Sequence, residues 1–207
     1  MRIKPPYRYD HVGSLMRPET LLRSREEWKA GEISLDELRV HEDKCIKDVI
    51  KLQEEAGLKS ITDGEFRRES FHVDFITQID NITSNWDFAQ TVKLSEDHTA
   101  GLDKKMPFIP YINGRMERPD GGVEVANYNY TKSLTDLTVK ITIPSPTMTH
   151  FRGGREAIDR VAYPLMKDFF EDLARIYREE MADLYEAGCR YVQLDDTNLA
   201  FLCDEQM

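Results

Sequence analysis

The sequence predicts an α/β fold built from repeated helix–strand units. Two segments share one pattern: a helix with apolar periodicity ends at Ala-Gly, and a short apolar strand then leads into acidic residues. They are AGLKSITDGE at residues 56–65 and AGCRYVQLDD at residues 187–196. Glycine at such a helix end is typical of the left-handed C′ position, and the run after it is typical of a buried strand. Ligands bind at the carboxyl ends of such strands, so we expect Glu65 and Asp195 to point into a shared site.

The first part of the chain is predicted to hold two strands and a long helix. Residues 9–14 have strand-like character and are followed by turn residues. Residues 34–37 form a capping box, and apolar side chains then recur at helical spacing, which predicts a helix up to Gly57. A second strand at about residues 60–62 opens into the polar segment 63–68.

The next segment, of about seventy residues, is too long for a simple connection between a strand and a helix. Residues 107–113 and 123–130 are apolar or aromatic runs, and they flank the turn-forming residues 118–122. This pattern predicts a β-hairpin insertion at about residues 84–132, which would lie beside a site.

The remainder predicts two further strands around one helix. The strand at residues 138–143 is stopped by prolines, a helix with a broad apolar face covers about 163–187, and a strand follows at 191–194. The count is therefore four parallel-type strands with helices between them. A (β/α)8 barrel has eight strands and about 250 residues. The sequence thus predicts one partial barrel domain over residues 1–207, with the first four βα units.

The composition excludes several classes of protein. The 207 residues are 40% hydrophobic and 32% charged, and the formal net charge is −10 at pH 7. This acidic balance predicts no nucleic-acid partner, because binding to a phosphate backbone needs a basic patch. No stretch approaches the roughly 18 apolar residues of a membrane span, and residues 1–6 lack the apolar run of a signal peptide. We therefore expect a cytoplasmic protein that does not bind membranes, with reduced cysteines.

Four motifs resemble, in their order and spacing, those of the cobalamin-independent methionine synthase superfamily, and most of all its short single-barrel bacterial members. They are HVGS at residues 11–14, TDGEFRR at 62–68, KITIPSPT at 140–147 and YVQLDD at 191–196. The resemblance extends from about residue 8 to residue 200, but it covers only the N-terminal half of that family's catalytic barrel. It implies a TIM barrel of the methionine synthase/uroporphyrinogen decarboxylase type.

The resemblance implies a methyltransferase of methionine biosynthesis, which moves a methyl group from 5-methyltetrahydrofolate (polyglutamate) to the thiol of homocysteine. By the same resemblance, Gly13 and Ser14 offer backbone donors to the carboxylate of the amino acid, and Glu65 and Asp195 hold its ammonium group. The chemistry of the residues agrees, because carboxylates at neighbouring strand ends suit a cationic amine. A charged hydrogen bond of this kind is worth about 1.5–3 kcal/mol.

Further residues lie at positions where the family binds the folate: Arg115, Ser145 and Thr147. The chain departs from the long methionine synthases at two motif positions. His11 replaces a small or β-branched residue, and Asp196 with the following threonine replaces Glu-Pro.

The resemblance also implies zinc in the full-length protein. In the family the zinc ligands, a His-x-Cys pair, a glutamate and a further cysteine, all come after the fourth strand. The candidates in this chain are His11, His72, His150, Cys189 and Cys203, and they lack ligand-like spacing, whereas a catalytic zinc needs about three protein ligands. We expect the metal ligands in the missing C-terminal half, no zinc held by this chain alone, and no activity of this chain alone.

Other interpretations remain open. Glu65 could pair with a neighbouring arginine, Asp195 could cap the turn that follows it, Ser14 could cap a short helix, and Arg115 could be a solvated surface charge. The protein could also be a zinc-dependent thiol alkyltransferase with another donor or acceptor. A third possibility is a non-catalytic half-barrel that binds a small amino compound, or that self-associates through exposed strand edges.

Overall fold

The computed structural model describes Pro5 and residues 7–85 and 108–199. These residues divide into two compact units. The first unit takes its described residues from 1–71, 124–143 and 182–194, and the second takes them from 72–123, 144–181 and 195–207. Within the described ranges, no helix combines the length and the apolar character needed to cross a bilayer.

The described residues combine helices and strands in a mixed α/β fold. In chain order the elements are α1 (Glu19–Lys29), α2 (Leu35–Glu55), β1 (Ser60–Ile61), α3 (Val73–Ile76), β2 (Asp80–Ser84), β3 (Pro110–Glu117), α4 (Val125–Ser133), β4 (Thr138–Val139), β5 (Ile141–Pro144), α5 (Met166–Glu186) and β6 (Val192–Asp195). Two short 3₁₀ helices, Pro146–Thr149 and Gly154–Ala157, lie between β5 and α5.

Helix α2 confirms the prediction from the capping box. The Ser34 hydroxyl accepts a hydrogen bond from the Glu37 amide, and the Glu37 side chain accepts one from the Ser34 amide. These two bonds satisfy orphan donors at the helix start. Gly57 follows the helix end with φ +83°, and Gly188 follows α5 with φ +101°, so both Ala-Gly segments end their helices as predicted.

The apolar face of α2 packs into the core of the first unit. This core joins side chains of α1, α2, β1 and the turn after β1: Leu21, Cys45, Ile46, Val49, Ile50, Ile61 and Phe66. Because α2 and the turn after β1 share this core, the turn is held by packing as well as by hydrogen bonds.

The described strands form three two-stranded sheets, which pair β1 with β4, β2 with β3 and β5 with β6. β1 pairs in parallel with β4, with Ser60 opposite Thr138. β5 lies beside β6, and the Ile141 amide donates to the Tyr191 carbonyl over 3.1 Å. The predicted third strand is therefore present but divided at Lys140, where its partner changes. The described residues form no closed barrel.

Two predicted strands are corrected by the structure. Residues 9–14 form no strand; side-chain bonds, and not a backbone ladder, hold this segment, as described below. Residues 123–130 were predicted as one arm of a hairpin, but most of them belong to helix α4. Their apolar and aromatic residues beside a turn suggested a strand, whereas the buried Tyr128 and Thr131 lie three residues apart, at helical spacing.

An antiparallel pair does occur near the predicted insertion, with different strands. β2 pairs with β3, and Ile82 lies opposite Ile112. The predicted arm at 107–113 thus continues as far as Glu117 and takes its partner from before the insertion. Residues 86–107 of the predicted insertion lie outside the described residues.

Candidate functional site

The turn that follows β1 carries Glu65 in an unusual backbone conformation. Glu65 has φ +58°, in the left-handed region that a non-glycine residue rarely adopts. The Asp63 carboxylate accepts a hydrogen bond from the Glu65 amide over 2.8 Å, and the Thr62 hydroxyl accepts one from the Gly64 amide over 3.1 Å. The Glu65 residue is only 4% exposed. Strained, buried conformations of this kind cluster at functional sites.

A buried guanidinium lies close to the Glu65 carboxylate. Arg68 is 3% exposed, donates to the Thr142 carbonyl over 2.7 Å and pairs with Glu124 over 3.2 Å. The Thr142 hydroxyl is 3.4 Å from the Glu65 carboxylate. Burial alone would lower the pKa of Arg68, but the carboxylates of Glu124, Asp63 and Glu65 raise it. Arg68 therefore stays charged and offsets part of the negative charge at this turn.

Two further arginines donate hydrogen bonds to backbone carbonyls of the same turn. Arg17 donates to the carbonyls of Glu65 and Arg68 over 2.9 and 2.7 Å. Arg25 donates to the carbonyls of Arg68 and Phe66 over 2.7 and 2.5 Å. The sequence analysis missed Arg17 and Arg25, because their partners are backbone carbonyls more than forty residues away along the chain.

Gly13 and Ser14 lie beside this turn, within the first unit. The Leu15 amide donates to the Gly64 carbonyl over 3.1 Å, which holds the end of their segment against the turn. Gly13 has φ +82°, which favours glycine, and the Ser14 side chain is exposed. In the part of the chain that the structure describes, the amides of Gly13 and Ser14 donate to no other group. Both amides are thus available to an anion.

Asp195 lies at the carboxyl end of β6, among hydroxyl side chains of the second unit. Its carbonyl accepts a hydrogen bond from the Ser145 amide over 3.0 Å. The hydroxyls of Ser145 and Thr147 are 2.7 Å apart, and Thr147 also contacts Asp196 over 3.3 Å and Asn198 over 3.0 Å. The predicted residues Asp195, Ser145 and Thr147 therefore lie together at the ends of β5 and β6.

The two predicted ammonium-binding carboxylates belong to different units. Glu65 is in the first unit and Asp195 is in the second. That they face one shared site stays a prediction.

Arg115, predicted to contact folate, is a surface side chain of the second unit. It is 52% exposed, pairs with Asp172 over 2.9 Å, and lies 4.8 Å from the centre of the Tyr163 ring. An ion pair and a stacked ring hold it in place. Its contact with folate stays a prediction.

The candidate metal ligands have separate surroundings. His72 packs edge-on against Phe108, and His150 packs against Phe169 and a second phenylalanine. Burial, with a smaller contribution from the charge of Arg152, lowers the pKa of His72 to about 4.

Of the two cysteine candidates, the structure describes Cys189 alone. Burial raises the pKa of the Cys189 thiol, and Cys203 lies outside the described residues. Among residues 7–85 and 108–199, no group of three or more His, Cys, Asp or Glu side chains could hold a metal ion.

The chain is similar to proteins of one family over nearly its whole length. A model of the family described as "Cobalamin-independent synthase, Catalytic domain" matches residues 10–204. The uncharacterized protein YxjH of Bacillus subtilis (strain 168) is 32% identical over 204 residues, which are 98% of this chain and 51% of that protein. The 5-methyltetrahydropteroyltriglutamate–homocysteine methyltransferase of Thermotoga sp. (strain RQ2) is 27% identical over 186 residues, or 89% of this chain and 23% of that enzyme.

A solved structure agrees with these relatives. The crystal structure of a Listeria monocytogenes protein, provisionally named a vitamin-B12 independent methionine synthase, matches with a TM-score of 0.77 and 33% identity. The match covers 97% of this chain and 55% of that one. The chain spans about half the length of the first curated relatives it matches, 51% and 52%. With the family model matched over residues 10–204, the chain belongs to the catalytic-domain family of the cobalamin-independent methionine synthases.

Proposed function

We propose that this chain supplies the amino-acid-binding half of a methyltransferase of the cobalamin-independent methionine synthase type. The complete protein would move a methyl group from 5-methyltetrahydrofolate to the thiol of homocysteine. This chain would form the first four βα units of a (β/α)8 barrel, with its site at the carboxyl ends of the strands. The family supports the class of reaction, and the residues support the assignment of the amino-acid site.

The observation that carries the proposal is the conformation of Glu65. A left-handed backbone at a non-glycine residue costs about 1–3 kcal/mol, and a buried carboxylate adds a desolvation cost. Glu65 has both features, at φ +58° and 4% exposure. A glycine would avoid both costs, so in this proposal the Glu65 carboxylate binds a cationic ligand group, beside the buried guanidinium of Arg68 that offsets part of its charge.

The geometry of the first unit suits an amino acid with both of its charges. The ammonium group would bind the Glu65 carboxylate, and the α-carboxylate would bind the amides of Gly13 and Ser14. The hydrogen bond of 3.1 Å from the Leu15 amide to the Gly64 carbonyl keeps the segment of Gly13 and Ser14 beside the turn that carries Glu65. Asp195 would complete the ammonium site. Binding both charges fixes the direction of the side chain that carries the thiol, and such orientation supplies much of the rate of a two-substrate reaction.

The hydroxyls at the ends of β5 and β6 would take part in binding the methyl donor. Ser145 and Thr147 are 2.7 Å apart and present donors and acceptors of the kind that a pterin ring requires. Arg115 would contact the acidic tail of a folate from the surface. The family implies zinc, but the described residues do not fit a metal centre, so no step at zinc is assigned to this chain.

A second candidate is a thiol alkyltransferase with another donor or acceptor. The observations that favour it are the two motif departures, His11 and Asp196, and the contact of 3.3 Å between Asp196 and Thr147. Changed residues at these two motifs would alter the acceptor thiol or the donor.

Calorimetric titration tests the proposal and separates the two candidates. The ligands are L-homocysteine and 5-methyltetrahydrofolate, and the variants are Glu65→Gln and Asp195→Asn. Glu55→Gln is the control, because it removes the same charge from the exposed end of α2. We expect the first two variants to weaken homocysteine binding by about 10- to 150-fold, the equivalent of 1.5–3 kcal/mol, and to leave folate binding unchanged.

Equal loss of both ligands, or no loss of homocysteine binding, would contradict the assigned roles. If the chain without substitutions, here called the parent chain, binds homocysteine but not folate, the result would favour the second candidate, a thiol alkyltransferase with another donor.

A further inference from the structure

The first unit contains a lysine whose ammonium group is completely buried. Lys140, between β4 and β5, is 1% exposed, and its side chain is 0% exposed. Its Nζ lies 3.0 Å from the Asp10 carboxylate and 3.0 Å from the Gln193 side-chain oxygen, and it also donates to the His11 carbonyl. Three oxygens therefore occupy the three donors of the ammonium group.

Asp10 is the centre of this network. Its carboxylate accepts hydrogen bonds from the Ser60 hydroxyl and, over 2.6 Å, from the Tyr191 hydroxyl. Burial would raise the pKa of Asp10, but the hydrogen bonds from Ser60, Tyr191 and Lys140 lower it. The segment that was predicted as a strand is thus fixed by side chains from β1, the chain before β6, and Lys140.

Only three residues, 12–14, separate the bonds of Asp10 and His11 from the bond of Leu15 to the turn after β1. Lys140 holds Asp10 and the His11 carbonyl, and the bond from Leu15 to the Gly64 carbonyl holds the other end. Gly13 lies between the two anchors, together with Val12 and Ser14. A chain of three residues fixed at both ends has few conformations left.

A buried ion pair is a poor way to gain stability. Its desolvation cost is often as large as its attraction, and apolar side chains of similar volume commonly serve as well. Lys140 differs from an apolar residue because its ammonium group donates a hydrogen bond to the His11 carbonyl. This bond restricts the conformation of the backbone that follows His11. This points to a role in local order.

We infer that Lys140 is a positioning residue for the amino-acid site: it fixes Asp10 and the His11 carbonyl, and thereby orders the amides of Gly13 and Ser14. The inference rests on the proposed function for the identity of the ligand, a thiol amino acid with a free carboxylate. Lys140 itself does not touch that ligand. Its removal therefore affects recognition of the carboxylate and spares recognition of the amine.

Hydrogen exchange measured by mass spectrometry tests the positioning directly. The variants are Lys140→Met and the double variant Asp10→Asn/Lys140→Met, which leaves no unpaired charge if the single variant folds poorly. Glu180→Gln is the matched control, because it breaks another buried ion pair, between Glu180 and Arg118 at 3.0 Å, in the second unit. We expect at least about tenfold faster exchange of the Leu15 amide, which donates to the Gly64 carbonyl, in a peptide covering residues 7–16 for both Lys140 variants, and no change there for Glu180→Gln.

A ligand comparison provides the readout that a purely structural role would not move. L-homocysteine carries the carboxylate, and 3-aminopropanethiol is the same molecule without it. We expect the parent chain to prefer homocysteine by about tenfold or more, and the double variant to lose this preference while binding 3-aminopropanethiol as the parent does.

The outcomes separate the inference from the proposed function. Unchanged exchange at residues 7–16, or an equal rise in Glu180→Gln, would overturn the positioning role. Faster exchange with the carboxylate preference retained would overturn it as well. If the parent chain binds neither thiol, the proposed function fails, and the exchange measurement alone decides whether Lys140 orders the segment.

Discussion

At the turn after β1, two consecutive residues adopt positive φ: Gly64 at +69° and Glu65 at +58°. The sequence analysis identified Glu65 as a candidate site residue, because the motif places it just after a strand end. The residue order could not indicate that Glu65 has a strained backbone. Its φ depends on the hydrogen bonds of Thr62 and Asp63 within the folded turn. The acid was therefore predictable from the residue order, and the backbone conformation that makes it unusual was not.

Gly64 offers a test of how tightly this turn is packed. A Cβ at Gly64 would lie 3.0 Å from a ring carbon of Phe66 and 3.3 Å from the Cβ of Leu15. We expect Gly64→Ala to lower the free energy of unfolding by about 2 kcal/mol, part from the left-handed backbone and part from the contact. Gly57→Ala is the control, because Gly57 has φ +83° with no atom within 4 Å, and it should lose only about 1 kcal/mol. Equal losses in urea unfolding would show that the turn is loosely packed.

His72 predicts how stability depends on pH. Its pKa is lowered from 6.5 to about 4, first by burial and then by the charge of Arg152. In the unfolded chain His72 binds a proton below about pH 6.5, whereas in the folded chain it stays neutral down to about pH 4. The free energy of unfolding therefore decreases as the pH falls from about 6.5 to about 4. We expect His72→Gln to show a smaller loss between pH 7 and pH 4. Urea unfolding across this range measures it, and parallel curves for the two proteins would rule out this role for His72.

At the scale of elements, the helices and strands that were predicted correctly are those whose sequence patterns lie within a few residues of each other. Helix α2 was predicted because its start depends on Ser34 and Glu37, three residues apart, and its apolar face repeats within the helix. Helix α4 was missed because an apolar and aromatic run beside a turn resembles a hairpin strand, and only the burial of Tyr128 and Thr131 indicates a helix. The segment at 9–14 was wrongly predicted as a strand for a different reason, because its partners Ser60, Lys140 and Tyr191 lie far along the chain.

The start of α2 can be tested by mutation. Ser34→Ala removes the hydroxyl that accepts the Glu37 amide over 3.2 Å, and we expect a loss of about 1 kcal/mol. Ser34→Gly should lose only a few tenths of a kcal/mol, about a third of that, because glycine leaves the amide open to water. Thermal unfolding measures both variants. An unchanged Tm in Ser34→Ala would mean that the cap contributes little.

At the scale of the whole molecule, the family was predictable and the complete site was not. Four ordered motifs identified the family that the comparison over residues 10–204 confirms. Each motif supplies residues that were predicted for the site, but Glu65 and Asp195 belong to separate compact units. No local pattern determines how such units meet, so residue order alone leaves the shared site a prediction.

Metal content provides a test at this scale. The family implies zinc, whereas the described residues of the chain include no group of three metal-binding side chains. We therefore expect the purified 207-residue chain to retain far less than one zinc per molecule after dialysis. Elemental analysis with the intact mass measured on the same sample checks this. About one zinc per chain at a mass of 24.1 kDa would contradict it.

The central claim, that Glu65 binds the amine of a thiol amino acid, is tested most directly by removing the amine from the ligand. L-homocysteine and 4-mercaptobutanoate differ only in that group, so their affinities for the parent chain and for Glu65→Gln form a four-member cycle. We predict that the parent binds homocysteine at least about tenfold more tightly and that Glu65→Gln loses most of this difference. An equal preference for homocysteine in both proteins, or none in the parent, would contradict the claim.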